Sequence, residues 1–156
     1  VRFSYIKDEE VLKGVSLDVK SGQTIAIVGA TGAGKSTIIN LINRFYEIDS
    51  GTIAIDGISV ADYTLESLRN QVAIVLQDVF LFSDSILNNI TLKNENITLK
   101  DVEKAAKQIG IHDFIMTLPG GYNYNVKERG AMLSSGQRQL IAFLRAYVSK
   151  PSILFC

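Results

Sequence analysis

Gly29-Ala30-Thr31-Gly32-Ala33-Gly34-Lys35-Ser36-Thr37 decides how this chain is read. Thr24-Ile25-Ala26-Ile27-Val28 leads into it, and Ile38-Ile39-Asn40-Leu41-Ile42 leads out. A β-branched run, a glycine-rich turn and apolar residues at helical spacing predict strand, loop and helix, the context a phosphate-binding loop needs. Glycines let the backbone curl so that successive N–H groups aim at one anion. The helix that follows adds its dipole and its unpaired N–H groups. In that frame Lys35 is a point charge for β- and γ-phosphates, and the Ser36 hydroxyl is a ligand for Mg²⁺. A tight turn between strand and helix is the plain alternative. The flanking runs and the rarity of the full pattern favour a nucleotide loop over Gly29 to Thr37.

Working outward, 156 residues amount to one domain or part of a larger one. The formal net charge is zero, and no basic block or aromatic–basic interleaving occurs, so composition does not point to nucleic acid. A single cysteine, Cys156, excludes an internal disulfide and fits a reducing compartment; it reads as a small buried apolar residue. No run approaches the roughly 18–20 apolar residues that span a bilayer. The chain opens on Val1 without a signal peptide and closes mid-pattern, so both ends read as cut from something longer.

N-terminal to the loop, Val1 to Ile6 and Val15 to Val19 alternate as strands around the polar turn Lys7-Asp8-Glu9-Glu10, predicting an antiparallel layer. Ile25 to Val28 is apolar without a break, the pattern of a parallel strand buried on both faces. Beyond the loop helix, Thr52 to Ile55 and Ile58 to Val60 flank the hairpin signal Asp56-Gly57. Thr64 to Asn70 forms a short helix, and Val72 to Leu76 a second buried strand ending at Gln77. From Ser83 the pattern turns helical. Thr98 to Asp101 resembles a capping box, with Val102, Ala105, Ala106 and Ile109 on one face and Gly110 as a stop. Ile111 to Leu118 is another helix. Leu140, Ile141, Leu144, Tyr147 and Val148 share the face of a longer one, after which Ile153 to Cys156 begins a third buried strand. The chain is thus read as an α/β core with an antiparallel β layer at its N-terminal side (1–82), a helical insertion (83–150) and the start of a further core strand (151–156).

A phosphate loop alone leaves kinases, GTPases, helicases and transporter motors open. Leu133-Ser134-Ser135-Gly136-Gln137, placed immediately before a helix, narrows the choice. With Gln77 after a buried strand and Pro151 before a terminal apolar strand, the whole chain resembles the nucleotide-binding domain of ATP-binding cassette (ABC) transporters. The fold this implies is a P-loop NTPase (RecA-like) core, incomplete at the C-terminus. The family's signature is usually Leu-Ser-Gly-Gly-Gln, so Ser135 departs from it at the first glycine. Taken without the family, Ser134-Ser135-Gly136 is simply a helix cap.

The resemblance implies ATP and Mg²⁺ as ligands. It assigns Gly29, Ala30, Thr31, Gly32, Ala33, Gly34, Lys35, Ser36 and Thr37 to the triphosphate, and Tyr5 to stacking on adenine. Ser36 and Gln77 go to the metal, with Lys35 and Gln77 as the catalytic pair. Ser134, Ser135, Gly136 and Gln137 are assigned to the γ-phosphate held by a second nucleotide-binding domain. A core aromatic remains the alternative for Tyr5, and a polar strand end for Gln77. The Phe80-Leu81-Phe82 stretch resembles exporters and would form an apolar patch for a transmembrane coupling helix, with core packing as the alternative. Glu128-Arg129-Gly130 resembles the exporter loop that reaches the transmembrane domains, although Lys127 stands where glycine is usual. His112, the single histidine, reads as a surface residue.

In the family the last strand runs into an Asp-Glu pair, and a later loop carries a histidine; these residues are not in the chain. The 156 residues by themselves are therefore expected to lack hydrolysis. The expected whole is an ABC exporter ATPase at the cytoplasmic face of a membrane, with a non-transport ABC ATPase or a degenerate regulatory half of a heterodimer as rivals.

Overall fold

The computed structural model describes residues 1–76, 78–127 and 132–156. It divides into two compact units, Val1–Arg69 and Asn70–Cys156.

The first unit opens on an antiparallel hairpin of β1 (Arg2–Ile6) and β2 (Glu9–Lys13). The partner of β1 is therefore not Val15 to Val19, as the alternation predicts, but the stretch read as turn and gap. The turn is shorter than expected, with Asp8 at φ 70. The ladder joins Phe3 to Leu12, Ser4 to Glu10 and Ile6 to Glu9. These pairs skip Val11 on one strand and Tyr5 on the other, a double register shift of the kind that re-aims side chains. Phe3 and Leu12 are each 3% exposed and pack with Leu41 of α1 (Lys35–Ile42), against Val1, Ile38, Ile48 and Ile53. Burying each of these large side chains contributes about 1.5–3 kcal/mol.

After α1 the chain turns at Asn43 and Arg44. The Arg44 guanidinium donates to the carbonyls of Val60, Ala61 and Tyr63 at 3.0–3.3 Å. It thereby fastens the 3-10 turn Val60–Asp62 that follows the small hairpin of β3 (Ala54–Ile55) and β4 (Ile58–Ser59). Helix α2 (Leu65–Gln71) comes next.

Residues 15–30 form no strand. This overturns two expectations: that Val15 to Val19 is a strand, and that Ile25 to Val28 is a parallel strand buried on both faces. The physical reason is pairing. A strand exists through a ladder of hydrogen bonds to a neighbour, and among the described residues this stretch has only the Val15–Val1 pair at its start, with no ladder beyond it. Its side chains stay in solvent accordingly, with Val28 87% exposed.

In the second unit β5 (Val72–Ile74) and β6 (Ile153–Phe155) pair in parallel, Val72 with Ile153 and Ile74 with Phe155. The parallel pairing matches the sequence reading, but burial on both faces does not, since Leu154 is 40% exposed. Four helices build the main core: α3 (Ile86–Thr91), α4 (Leu99–Ile109), α5 (His112–Thr117) and α6 (Ser135–Val148). Ile86, Ile90, Val102, Ile111, Ile115, Ile141 and Leu144 lie at its centre, each at most 1% exposed. On α6 the buried stripe is Ile141, Leu144 and Val148, joined by Ala142 and Ala146. Leu140 and Tyr147, expected on that face, are 40% and 42% exposed.

The capping box expected at Thr98 is formed. Asp101 N–H donates to Thr98 Oγ1, and Thr98 N–H donates to Asp101 Oδ2 at 3.0 Å. Gly110 ends α4 at φ 82, as its left-handed stop requires. Asn89 is fully buried and clamps the preceding loop. Its carboxamide accepts from Phe82 N–H at 2.8 Å and donates to the Phe82 and Ser85 carbonyls at 2.9 and 3.0 Å. Arg145 of α6 donates to the Asn89 and Phe80 carbonyls, and burial lowers the pKa of its guanidinium. No helix among the described residues is long and apolar enough to cross a membrane.

Candidate functional site

The phosphate loop lies in the first unit. Ala33 N–H donates to Ala30 O at 3.1 Å, closing a turn, and Gly32 and Gly34 take φ 84 and 87. Gly34 is the N-cap of α1 and supplies no side-chain cap. The first intrahelical bond runs from Ile38 N–H to Gly34 O at 3.2 Å, so the N–H groups of Lys35, Ser36 and Thr37 lie ahead of the helical ladder. That is the donor array an anion needs. The Lys35 ammonium arches back over the loop and donates to the carbonyls of Gly29 and Ala30, both at 2.8 Å. Ser36 is exposed in the first turn of α1, while Thr37 is buried at 5% exposure.

Gly34 is fixed for a second reason. A Cβ placed on it would stand 2.8 Å from Leu12 Cδ2 and 3.3 Å from Val11 Cγ1. One of the two skipped residues of the hairpin, Val11, thus abuts the loop, and the other, Tyr5, reaches it from β1. Tyr5 donates its hydroxyl to Thr37 Oγ1 at 3.2 Å and accepts from Asn40 Nδ2 at 3.4 Å. The structure therefore brings Tyr5, Lys35, Ser36 and Thr37 into one neighbourhood. Tyr5 is 46% exposed, not a core aromatic.

The second unit carries Ser134, Ser135, Gly136 and Gln137 at the start of α6. Ser134 is its N-cap, with Oγ accepting Gln137 N–H at 3.2 Å, and Gln137 Oε1 accepts Ser134 N–H at 2.8 Å. Sequence reasoning identified the serine cap but not the glutamine's half of the box. The signal was present in the Ser-x-x-Gln spacing. Ser134, Ser135 and Gly136 are exposed. Ser135 occupies the first helical position without disturbing the box.

Gln77 and the segment Glu128-Arg129-Gly130 lie outside the described residues. Phe80 and Phe82 are 54% and 52% exposed and meet edge to face, with ring centroids 5.1 Å apart. Leu81 between them is 1% exposed, so core packing accounts for Leu81 and not for the two phenylalanines. His112 is half-buried rather than free at the surface. Its Nδ1 lies 2.9 Å from the hydroxyl of buried Tyr122, whose pKa is raised to about 12, mainly by burial. Cys156, expected to be buried, is exposed. Among the described residues no group of three or more His, Cys, Asp or Glu side chains could hold a metal.

These features can be set against known proteins. The ABC transporter family model matches residues 12–156. YgaD of Bacillus subtilis, provisionally named a multidrug export ATP-binding/permease protein, is 48% identical over 99% of this chain and 27% of its own length. ABC transporter B family member 24, mitochondrial, of Arabidopsis thaliana is 45% identical over 100% of the chain and 23% of its own. The chain thus spans about a quarter of the length of these relatives. Among solved structures, a bacterial Atm1-family ABC exporter with ATP bound superposes with a TM-score of 0.93 and 46% identity, over 99% of this chain and 27% of that one. The P-loop NTPase fold expected from Gly29 to Thr37 is thereby shown. With its phosphate loop in one unit and its Ser134 helix start in the other, the chain belongs to the ABC transporter family.

Proposed function

We propose that this chain is the ATP-binding domain of an ABC exporter, coupling ATP binding and hydrolysis to transmembrane export. One observation carries the reading: the uncapped start of α1, held open by Gly34 and roofed by Lys35, in a chain that also carries the Ser134–Gln137 helix start. The names of the relatives support the exporter assignment, as does the exposed Phe80–Phe82 pair, which suits an apolar coupling helix.

In this reading Gly29 to Thr37 holds the triphosphate through main-chain N–H groups, and Lys35 neutralises charge on the β- and γ-phosphates. Tyr5 stacks on adenine. Ser36 and Gln77 would hold Mg²⁺, which when bound screens the phosphate oxygens; the exposed first-turn position of Ser36 fits that role. A second nucleotide-binding domain contributes its own Ser134, Ser135, Gly136 and Gln137 across the γ-phosphate. Residues 83–150 act as the helical subdomain that carries this signature, and Phe80–Phe82, immediately ahead of it, make the contact to the transmembrane domains at the cytoplasmic face of the membrane.

These 156 residues assayed by themselves bind nucleotide and turn it over negligibly. The strand Ile153–Phe155 carries no general base, and loss of a base costs about 10²–10⁴-fold. A regulatory, hydrolysis-deficient half of a heterodimer is the rival, resting on Ser135. The intact capping box around Ser135 favours a working signature instead.

The test is Lys35→Ala in the intact protein. Charge-assisted hydrogen bonds contribute about 1.5–3 kcal/mol, so ATP affinity should fall about 10–100-fold and hydrolysis with it. Equal affinity and equal turnover in the two proteins would remove the phosphate-loop assignment. Normal ATP binding without turnover in the wild-type protein would favour the regulatory rival.

A further inference from the structure

Tyr5 sits in a three-ring cluster rather than alone. Its ring centroid lies 4.8 Å from that of Phe3 and 4.9 Å from that of Tyr46, with interplanar angles of 86° and 88°. Phe3 and Tyr46 close the triangle at 5.8 Å. Phe3 is anchored in the core at 3% exposure, whereas Tyr5 and Tyr46 are 46% and 48% exposed. Tyr46 follows the end of α1, so the two ends of that helix meet the same ring: Thr37 at the hydroxyl and Tyr46 at the π system.

Perpendicular aromatic packing is a favoured arrangement and fixes the plane of a ring. It does so here without covering Tyr5 in parallel, because both neighbours stand at nearly a right angle to it. The register shift at Tyr5 makes such support necessary. A residue skipped by the ladder is not oriented by its own strand pairing, so its side chain depends on what packs around it.

We infer that Tyr46 is a positioning residue for nucleobase recognition: it sets the plane of the Tyr5 ring against which a purine stacks, while Thr37 and Asn40 hold the Tyr5 hydroxyl. The inference rests on the base-stacking role proposed for Tyr5. It implies that Tyr46 governs the base-dependent share of affinity and leaves the phosphate-dependent share to the loop.

The experiment measures binding of ATP and of inorganic tripolyphosphate to the intact protein and to its Tyr5→Ala, Tyr46→Leu and Tyr46→Phe variants. Tyr46→Leu keeps bulk at a half-exposed position and removes the ring with its hydroxyl, Tyr46→Phe removes the hydroxyl alone, and a thermal melt of each variant checks that folding is retained. An aromatic pair worth about 0.5–1.5 kcal/mol predicts ATP binding weaker by about two- to tenfold in Tyr46→Leu. Tripolyphosphate affinity should be unchanged, and Tyr46→Phe should restore ATP binding. Unchanged ATP affinity in Tyr46→Leu, an equal loss for both ligands, or no rescue by Tyr46→Phe overturns the inference. Tyr5→Ala separates the levels. If it weakens ATP and Tyr46→Leu does not, stacking stands and the positioning role falls. If Tyr5→Ala itself leaves ATP affinity intact, base stacking on Tyr5 is wrong and the inference goes with it.

Discussion

A single methyl group at Gly34 tests whether the hairpin and the phosphate loop are built against each other. Gly34→Ala imposes two costs. At φ 87 an L-residue is held in the left-handed region at about 1–2 kcal/mol. The new Cβ would also stand 2.8 Å from Leu12 Cδ2 and 3.3 Å from Val11 Cγ1. Leu12 cannot swing aside freely, because it is 3% exposed and packed with Phe3 and Leu41. Overpacking of this kind costs about 1–3 kcal/mol. Gly32→Ala isolates the first cost: φ is 84 there, and nothing lies within 4 Å of its Cβ position. The structure therefore predicts that Gly34→Ala loses about 1–3 kcal/mol more than Gly32→Ala, with the excess arising in β1, β2 and α1. Amide hydrogen exchange in the intact protein reads this locally, where a global melt of a multidomain chain does not. ATP affinity measured alongside should fall further in Gly34→Ala, because the loop must move away from Leu12. Equal protection of the β1, β2 and α1 amides in the two variants would refute the packing argument.

Other expectations follow from the second unit. Asn89→Ala removes a buried clamp and strands the Phe82 N–H and carbonyl, so stability should fall by about 2–4 kcal/mol in denaturant unfolding of that unit. The carboxyl of Asp101 is held below its ordinary pKa, chiefly by the Thr98 hydroxyl and then by the Thr98 N–H. Its contribution is thus fully present above the unfolded value near pH 4 and lost as pH falls through the folded one; Asp101→Asn should flatten the acid limb of a stability–pH curve. Ser134→Ala should cost about 1 kcal/mol as a lost N-cap and, on the proposed function, should also weaken ATP-driven pairing of two domains measured by sedimentation.

The sequence made the local features legible. A residue three positions from its partner, or a glycine that must be left-handed, is settled by chemistry within one turn. Hence the box at Thr98 and Asp101, the stop at Gly110 and the helix after Gly34 appear as expected. Strands fared differently. Val15 to Val19 and Ile25 to Val28 have the composition of strands, yet alternation and β-branching describe how a segment would pack, not what it would pair with. Glu9–Lys13 shows the converse. Its first two residues, Glu9 and Glu10, read as part of a turn, but the ladder to β1 forms because Leu12 can bury against Phe3. The register shifts at Tyr5 and Val11 were not readable at all, since a skipped residue is defined only relative to its partner strand. Tyr46 was missed for the same reason: nothing in its local sequence says that it lies 4.9 Å from Tyr5.

The two helix starts assigned to phosphate reach their donors by opposite means, and the residues explain why. At α1 the cap is a glycine, so no side chain competes for the first-turn N–H groups, and the nearest cation, Lys35, is parked on main-chain carbonyls. At α6 the cap is Ser134 with Gln137 three residues on, and each already satisfies the other. An anion at α1 meets donors with no side-chain cap to displace. One at α6 meets a hydroxyl whose lone pair is engaged by Gln137 N–H but whose proton remains to be donated, together with the first-turn N–H groups of Ser135 and Gly136. The α1 loop is thus suited to hold a polyphosphate by itself, while the α6 start is suited to add a few contacts to an anion held elsewhere. On the proposed function, that asymmetry, written in one glycine and one serine, suits a composite site between two domains: one side that binds and one side that closes.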